Sequence, residues 1–352
     1  MKTRVAAVLI LALSPFIQAE RLGVLDGVLK PQMIRVAGDE LFVAEGQYIH
    51  VFSLPGLQKK FRIGKDGEGP GEFKLDPART IIFSVHPGFI LAESRNKIVY
   101  FDRSGAFMKE QRKLPGILQV LPLGGNYAVL RLQYGAGGES YFVASVMDAE
   151  FKEIRAVYRQ KFFNFKGKIN ALPDGLNLCV SGQHLWVEES PDGFVIEVFD
   201  ARGERVRRIE KEVAPLSVTA AHRRRGLADL MKIPALRRAV KEQGKAKVMN
   251  DLSPNLVYPD HLPAIGYITA DKDAVYVSTP RRENGKVEFL RLDSAGKVIK
   301  SFFLPAAKEV DFLVRMQGDK NYFTIDGGTY YYLDFVESED DEAWEVHAEA
   351  LD

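Results

Sequence analysis

Short apolar stretches that end in Asp-x-x-Gly recur along this 352-residue chain at intervals of roughly fifty residues. Three copies are clear: Ile98–Asp102 with Gly105, Val195–Asp200 with Gly203, and Phe289–Asp293 with Gly296. Weaker ones are His50–Ser53 with Gly56, Ala144–Asp148, and Tyr330–Asp334. The chemistry is that of a hairpin turn. The aspartate carboxylate accepts backbone N–H groups of the turn, and glycine takes the positive-φ position that a Cβ resists. A chain marked in this way must fold largely as a succession of hairpins.

A second strand precedes each turn: Leu41–Ala44, Phe89–Ala92, Tyr127–Leu130, Leu185–Glu188, Val275–Ser278 and Tyr322–Ile325, all rich in β-branched or aromatic residues. Prolines give a third mark. Pro31, Pro77, Pro115, Pro173, Pro263 and Pro305 each stand a few residues before another apolar stretch. Proline has no N–H for a ladder and belongs just outside a strand's start. Turns and prolines agree on six units of about 40–50 residues, with one long gap between the fourth and fifth.

The gap, residues 213–253, does not read as strand. Ser217–Lys232 is helical in composition, and Pro234–Gly244 carries proline in its first turn and glycine just past its end. Leu227, Leu230 and Met231, and then Leu236 and Val240, have helical spacing and an apolar side to bury. Six four-stranded units that cannot bury their faces alone predict an all-β fold: a six-bladed β-propeller with a small α-helical insertion between blades 4 and 5. A pair of β-sandwiches fits the regular spacing less well. Ring closure needs an edge strand from one terminus, and Leu22–Leu29 and Trp344–Ala350 both qualify.

Residues 1–19 have the form of a secretory signal peptide: Lys2 and Arg4, the apolar run Val5–Leu13, and Ala19 before Glu20. The run is shorter than the ~20 residues of a spanning helix. The expectation is a periplasmic or secreted protein comprising residues 20–352, without a transmembrane segment after cleavage. The single cysteine, Cys179, excludes an intramolecular disulfide, lies far from the cleavage site, and reads as a small buried hydrophobe. The balance of 48 basic and 47 acidic residues gives no global field for nucleic acid.

Gly64-Lys65-Asp66-Gly67-Glu68-Gly69-Pro70-Gly71-Glu72-Phe73, continuing to Asp76-Pro77, Glu93, Asn96-Lys97-Ile98 and Tyr100-Phe101-Asp102, resembles an NHL-type repeat. More narrowly, it is similar to exported bacterial six-bladed propeller proteins that carry Gly-x-Gly-Pro-Gly-Glu-Phe after the first blade. Glu93 stands where the repeat usually has Asp. The resemblance implies the fold and little about activity, because the same architecture hosts binding proteins, lactonases and lyases.

No linear motif supplies catalysis. The glycine-rich loop 64–71 lacks the Lys-Ser/Thr and helix of a phosphate loop and reads as a tight inter-blade crossing. His50, His86, His184, His222, His261 and His347 have no metal-ligand spacing. Asp271–Asp273 and Glu337–Glu342 read as a turn and a hairpin tip. The insertion is the compositional anomaly: nine basic residues against three acidic ones, a net +6. The primary expectation is therefore a monomeric, non-enzymatic binding or scaffold module. It would meet a protein, a glycan or a small anionic ligand on the face of its inter-blade loops, with no cofactor. Repeat register puts Arg79, Asp174, Asp260 and His261 near the channel mouth, and the insertion adds Arg224 and Arg237. The alternative is a metal-dependent, lactonase-like hydrolase or lyase holding Ca or Zn with ligands from several blades. Catalytic residues cannot be named from the sequence, and no metal ligands are assigned.

Overall fold

The structure is a computed structural model that describes residues 19–75, 81–135, 139–162, 167–172, 175–189, 193–232, 234–305, 322–337 and 342–351. After β1 (Glu20–Val24), blade 1 comprises β2 (Met33–Ala37), β3 (Glu40–Glu45), β4 (Tyr48–Ser53) and β5 (Lys59–Ile63). Blade 2 comprises β6 (Ile82–Val85), β7 (Ile90–Glu93), β8 (Lys97–Phe101) and β9 (Phe107–Arg112). Blade 3 follows as β10 (Ile117–Leu123), β11 (Asn126–Tyr134), β12 (Ser140–Met147) and β13 (Glu153–Phe162). A short β14 (Ile169–Asn170) leads to blade 4: β15 (Leu178–Ser181), β16 (His184–Glu188), β17 (Phe194–Phe199) and β18 (Arg205–Lys211). The insertion holds α1 (Ala220–Leu230), α2 (Pro234–Gln243), α3 (Lys245–Leu252) and β19 (Leu256–Val257). Blade 5 is β20 (Tyr267–Asp271), β21 (Ala274–Glu283), β22 (Lys286–Leu292) and β23 (Val298–Pro305), and blade 6 begins with β24 (Phe323–Asp326), β25 (Thr329–Glu337) and β26 (Glu342–Ala350).

Each blade is a four-stranded antiparallel meander, and β1 completes blade 6 outside β26. The ring is thus closed by the N-terminal strand. Glu20–Val24 lies on β26, and the Leu25 N–H donates to the Trp344 carbonyl (2.9 Å). Both candidate closing segments sit in this blade, one as the third strand and one as the outermost. Six apolar clusters fill the six gaps between neighbouring blades, from Phe42 and Phe83 between blades 1 and 2 round to Ile34 and Val346 between blades 6 and 1. Blades that share their cores pairwise in this way hold each other in a ring.

The outer hairpins show the expected turn chemistry. Asp102 Oδ1 accepts from the Ser104 and Ala106 N–H groups, Asp200 Oδ1 from Arg202 and Glu204, and Asp293 Oδ1 from Ala295 and Lys297. Gly105, Gly203 and Gly296 have φ of 87°, 78° and 86°. Asp148 makes the same turn with Phe151 at φ 62°, without a glycine. In these four blades the turn joins the third and fourth strands.

Blade 6 departs from the sequence reading. Tyr322–Ile325 was expected as a second strand, yet Phe323–Asp326 is the innermost strand. Asp334 lies inside β25, not in a turn. The reason is topological: the third strand of this blade is the C-terminal one, so no outer hairpin exists there to need an Asp-x-x-Gly. Pro305 likewise ends β23, the outermost strand of blade 5, and does not open an inner strand. Pro31, Pro115 and Pro263 do precede inner strands, while Pro77 and Pro173 lie outside the described residues.

Antiparallel order sorts the loops onto two faces. First and third hairpins lie on a lower face; second hairpins and the crossings from one blade to the next lie on an upper face. The glycine-rich crossing between blades 1 and 2 is tight, as expected. A Cβ on Gly64 (φ 89°) would stand 2.5 Å from the Gln47 carbonyl oxygen, and Phe73 is fully buried between the two blades. Cys179 is buried, and burial raises its thiol pKa.

Candidate functional site

The upper face carries a cavity of about 570 Å³ between blades 4 and 5, beneath the insertion's stem. Two backbone segments form one wall: 211–216, leaving β18, and 259–264, returning toward β20. They are zipped antiparallel. The Val218 N–H donates to the Asp260 carbonyl (2.8 Å), the Leu262 N–H donates to the Leu216 carbonyl (2.8 Å), and Ser217 bridges His261. Pro215, Pro259 and Pro263 stiffen these segments by fixing φ.

The opposite wall comes from a break in blade 5. β21 and β22 pair at Ser278–Phe289 and again at Arg282–Val287, so three residues, 279–281, face the single residue Glu288. Pro280 cannot donate to the ladder, which explains the bulge. The bulge turns Thr279 and Arg281 onto Glu288. Thr279 Oγ1 donates to Glu288 Oε2 (2.7 Å), Ser301 Oγ donates to Oε1 (3.3 Å), and the Arg281 guanidinium lies 3.6 Å from Oε1. Thr279 and Glu288 are buried, whereas Arg281 is exposed at the rim. Lys211, Glu212, Asp260 and His261 complete a rim with charges of both signs over leucine, valine and proline walls.

The structure brings Asp260 and His261 together at this rim, both exposed. Arg224 and Arg237 are exposed on α1 and α2, neither lining the cavity. Arg79 and Asp174 lie outside the described residues. Lys211, Thr279, Arg281 and Glu288 were not singled out from the sequence. The available signal was Pro280 following directly on an apolar strand, a mark of a bulge. Among the described residues, no group of three or more His, Cys, Asp or Glu side chains is placed to hold a metal ion.

The helices dock beside the cavity. Leu230, Leu236, Val248 and Leu252 are buried around Ile169, which lies on the crossing between blades 3 and 4. β19 pairs in parallel with β14 on that crossing. Each buried aliphatic contributes about 1.5–3 kcal/mol, which holds helices too short to persist alone. Gly226 is a close-approach residue: a Cβ there would collide with the Ala171 carbonyl oxygen and the Leu172 side chain. Thr219 caps α1 in a reciprocal pair with His222, and Arg223 lies 5.4 Å over the ring of Tyr258, next to Pro259 of the cavity wall.

Other carboxylates at the tops of second strands are structural. Glu45 Oε1 accepts from Leu29 and Lys30 N–H groups ahead of β2. Glu93, in the position where the repeat usually has Asp, accepts from the Val120 N–H and pairs with buried Lys113 at 2.9 Å. On the lower face, Glu40 is raised by burial but lowered further by hydrogen bonds from Lys60 and Arg103, so its carboxyl ends below its usual range.

Architecture and cavity together define a six-bladed β-propeller with an upper-face cleft at an enlarged blade crossing. A family profile described as a 6-bladed beta-propeller matches residues 27–171. No curated protein matches the chain. Among solved structures, a member of the DUF4221 family from Bacteroides vulgatus is 12% identical, with 94% of this chain and 97% of that one covered at a TM-score of 0.47. BamB from Moraxella catarrhalis is 8% identical, with 90% and 84% covered at a TM-score of 0.35.

Proposed function

We propose that this chain is an exported, non-enzymatic binding module that receives a segment of a polypeptide partner in the upper-face cavity between blades 4 and 5. The observation that carries this reading is the cavity's make-up. Proline and leucine walls suit apolar side chains. The rim offers Lys211 and Arg281 as donors and Glu212 and Asp260 as acceptors for a chain bearing both N–H and C=O groups. A rigid scaffold with function placed on its loops is the usual division of labour.

A photo-crosslinking amino acid at Arg281 tests the reading in cells, with the same group at Lys272 in a lower-face turn as the control. One specific polypeptide adduct is expected from position 281, absent from position 272 and suppressed by Ala214→Trp, which fills the cavity mouth. Adducts from 272 alone, or adducts insensitive to Ala214→Trp, would refute it. Metal analysis separates it from the lactonase-like alternative: retained stoichiometric Ca or Zn would favour the enzyme.

A further inference from the structure

We infer that the helical insertion is an electrostatic dock for an acidic polypeptide stretch, adjoining the cavity. The inference rests on the binding reading only in making the partner a polypeptide; the charge argument stands on the helices themselves. Arg224, Arg237, Lys241, Lys245 and Lys247 are exposed, and none lies within 4 Å of a carboxylate among the described residues. Two of the insertion's three acids are engaged elsewhere: buried Asp229 takes Lys232 and Arg225, and Glu242 takes Arg238; the third, Asp251, is exposed in the last turn of α3 and not within 4 Å of these five cations.

The positions of these cations also argue against a stabilising role. Arg224 lies just past the first turn of α1, Arg237 in the first turn of α2, and Lys245 and Lys247 in the first turn of α3; no first turn contains an acid. A helix N-terminus carries partial positive charge, so cations there are unfavourable. Lys241, in the last turn of α2, is the exception. Five exposed charges without partners, four of them near the wrong helix end, leave a surface stabilised by an anion from outside.

The partner's class follows from what the helices do with their apolar sides. Those sides are turned inward around Ile169, and among the described residues of 213–253 no large hydrophobic side chain is exposed. A membrane-binding helix needs an apolar face to lay into the lipid, so a lipid surface is disfavoured. A small anion is disfavoured because the cations are exposed and spread over three helices. An acidic stretch can span them, and Arg223 over Tyr258 joins the patch to the cavity wall.

The test uses the full-length protein and fluorescent poly-L-glutamate as probe, with phosphatidylglycerol vesicles as the competing surface. The triple variant Arg224→Glu, Arg237→Glu, Lys245→Glu should weaken poly-L-glutamate binding at least tenfold, and binding should fall as salt rises from about 20 to 150 mM because exposed charges are screened. The same variant should melt no lower than the parent, since it places acids near helix N-termini. Binding changed less than twofold in the folded variant, or tighter binding to vesicles than to poly-L-glutamate, would overturn the proposal. If the triple variant does not fold, Arg224→Gln with Arg237→Gln must still weaken the probe severalfold. Ala214→Trp should leave poly-L-glutamate binding intact, so failure of the cavity reading and failure of the dock are told apart.

Discussion

Two crossings do the same topological job in this molecule and do it with different chemistry. Between blades 1 and 2, the loop after Ile63 folds on itself. The Phe73 N–H donates to the Lys65 carbonyl (2.7 Å), the Gly69 N–H donates to Glu72 Oε2 (3.0 Å), and Phe73 fills the blade interface. Between blades 4 and 5, the chain leaves Lys211, builds three helices on a neighbouring crossing, and returns to Tyr267 around a cavity. The first crossing joins blades, and its hydrogen bonds and buried Phe73 in residues 64–75 are committed to that. The second exceeds what joining requires, and the excess carries an open cleft and unneutralised charge. Joining of blades and an open, charged surface are thus found at different positions in this ring.

The largest effect should come from the tight crossing. Gly64→Val places a Cβ at φ 89° against the Gln47 backbone, and a strained backbone plus a clash that cannot move aside should cost about 3 kcal/mol. A urea midpoint lowered accordingly is expected; an unchanged midpoint would mean that this crossing does not hold the blades.

The same type of substitution in the enlarged crossing should act locally. Gly226→Val forces α1 off the Ala171 carbonyl oxygen and the Leu172 side chain. Cleavage after Arg223–Arg225 and Arg237–Arg238 should accelerate at least tenfold in limited proteolysis, while the propeller's own midpoint moves by less than about 1 kcal/mol. Rapid cutting of the parent protein at these sites would show the helices undocked and break the comparison.

A smaller contrast is expected with acid. Glu72 is held below the ordinary 4.5, first by the hydrogen bond from Lys65 and then by the Gly69 N–H. A depressed carboxylate contributes stability above its ordinary pKa and loses it as pH falls through the folded value. The protection factor of the Gly69 amide, its rate relative to an unstructured amide at the same pH, should therefore fall below about pH 4.5, and Glu72→Gln should abolish that dependence. Protection that is equally pH-independent in both proteins would remove Glu72 from the loop's support.

Much of the fold was legible because it is written locally. Asp102, Asp200 and Asp293 with their glycines announce a turn whose hydrogen bonds lie within five residues. Pro234 and Gly244 likewise punctuate a helix from within. Where the fold depended on distant partners, local reading failed. Tyr322 and Asp334 were assigned one strand too far out because the strand that completes their blade is Glu20–Val24, at the other end of the chain. Register alone put Asp260 and His261 near the channel mouth; the structure has them at the rim of the cavity between blades 4 and 5. Thr279, Arg281 and Glu288 were missed because they come to line a cavity only when a bulge in one blade faces a stem from another.

By itself, then, the sequence determined the number of blades, their turns and the helical nature of the insertion, since hairpin and cap chemistry is satisfied among near neighbours in the chain. Only tertiary structure decided which terminus closes the ring, that Gly226 permits a helix to touch Ala171, and that residues 211–216, 259–264 and 279–290 enclose one cavity. Those outcomes depend on packing between segments far apart in sequence, where steric fit and shared burial act and no local pattern records the partner.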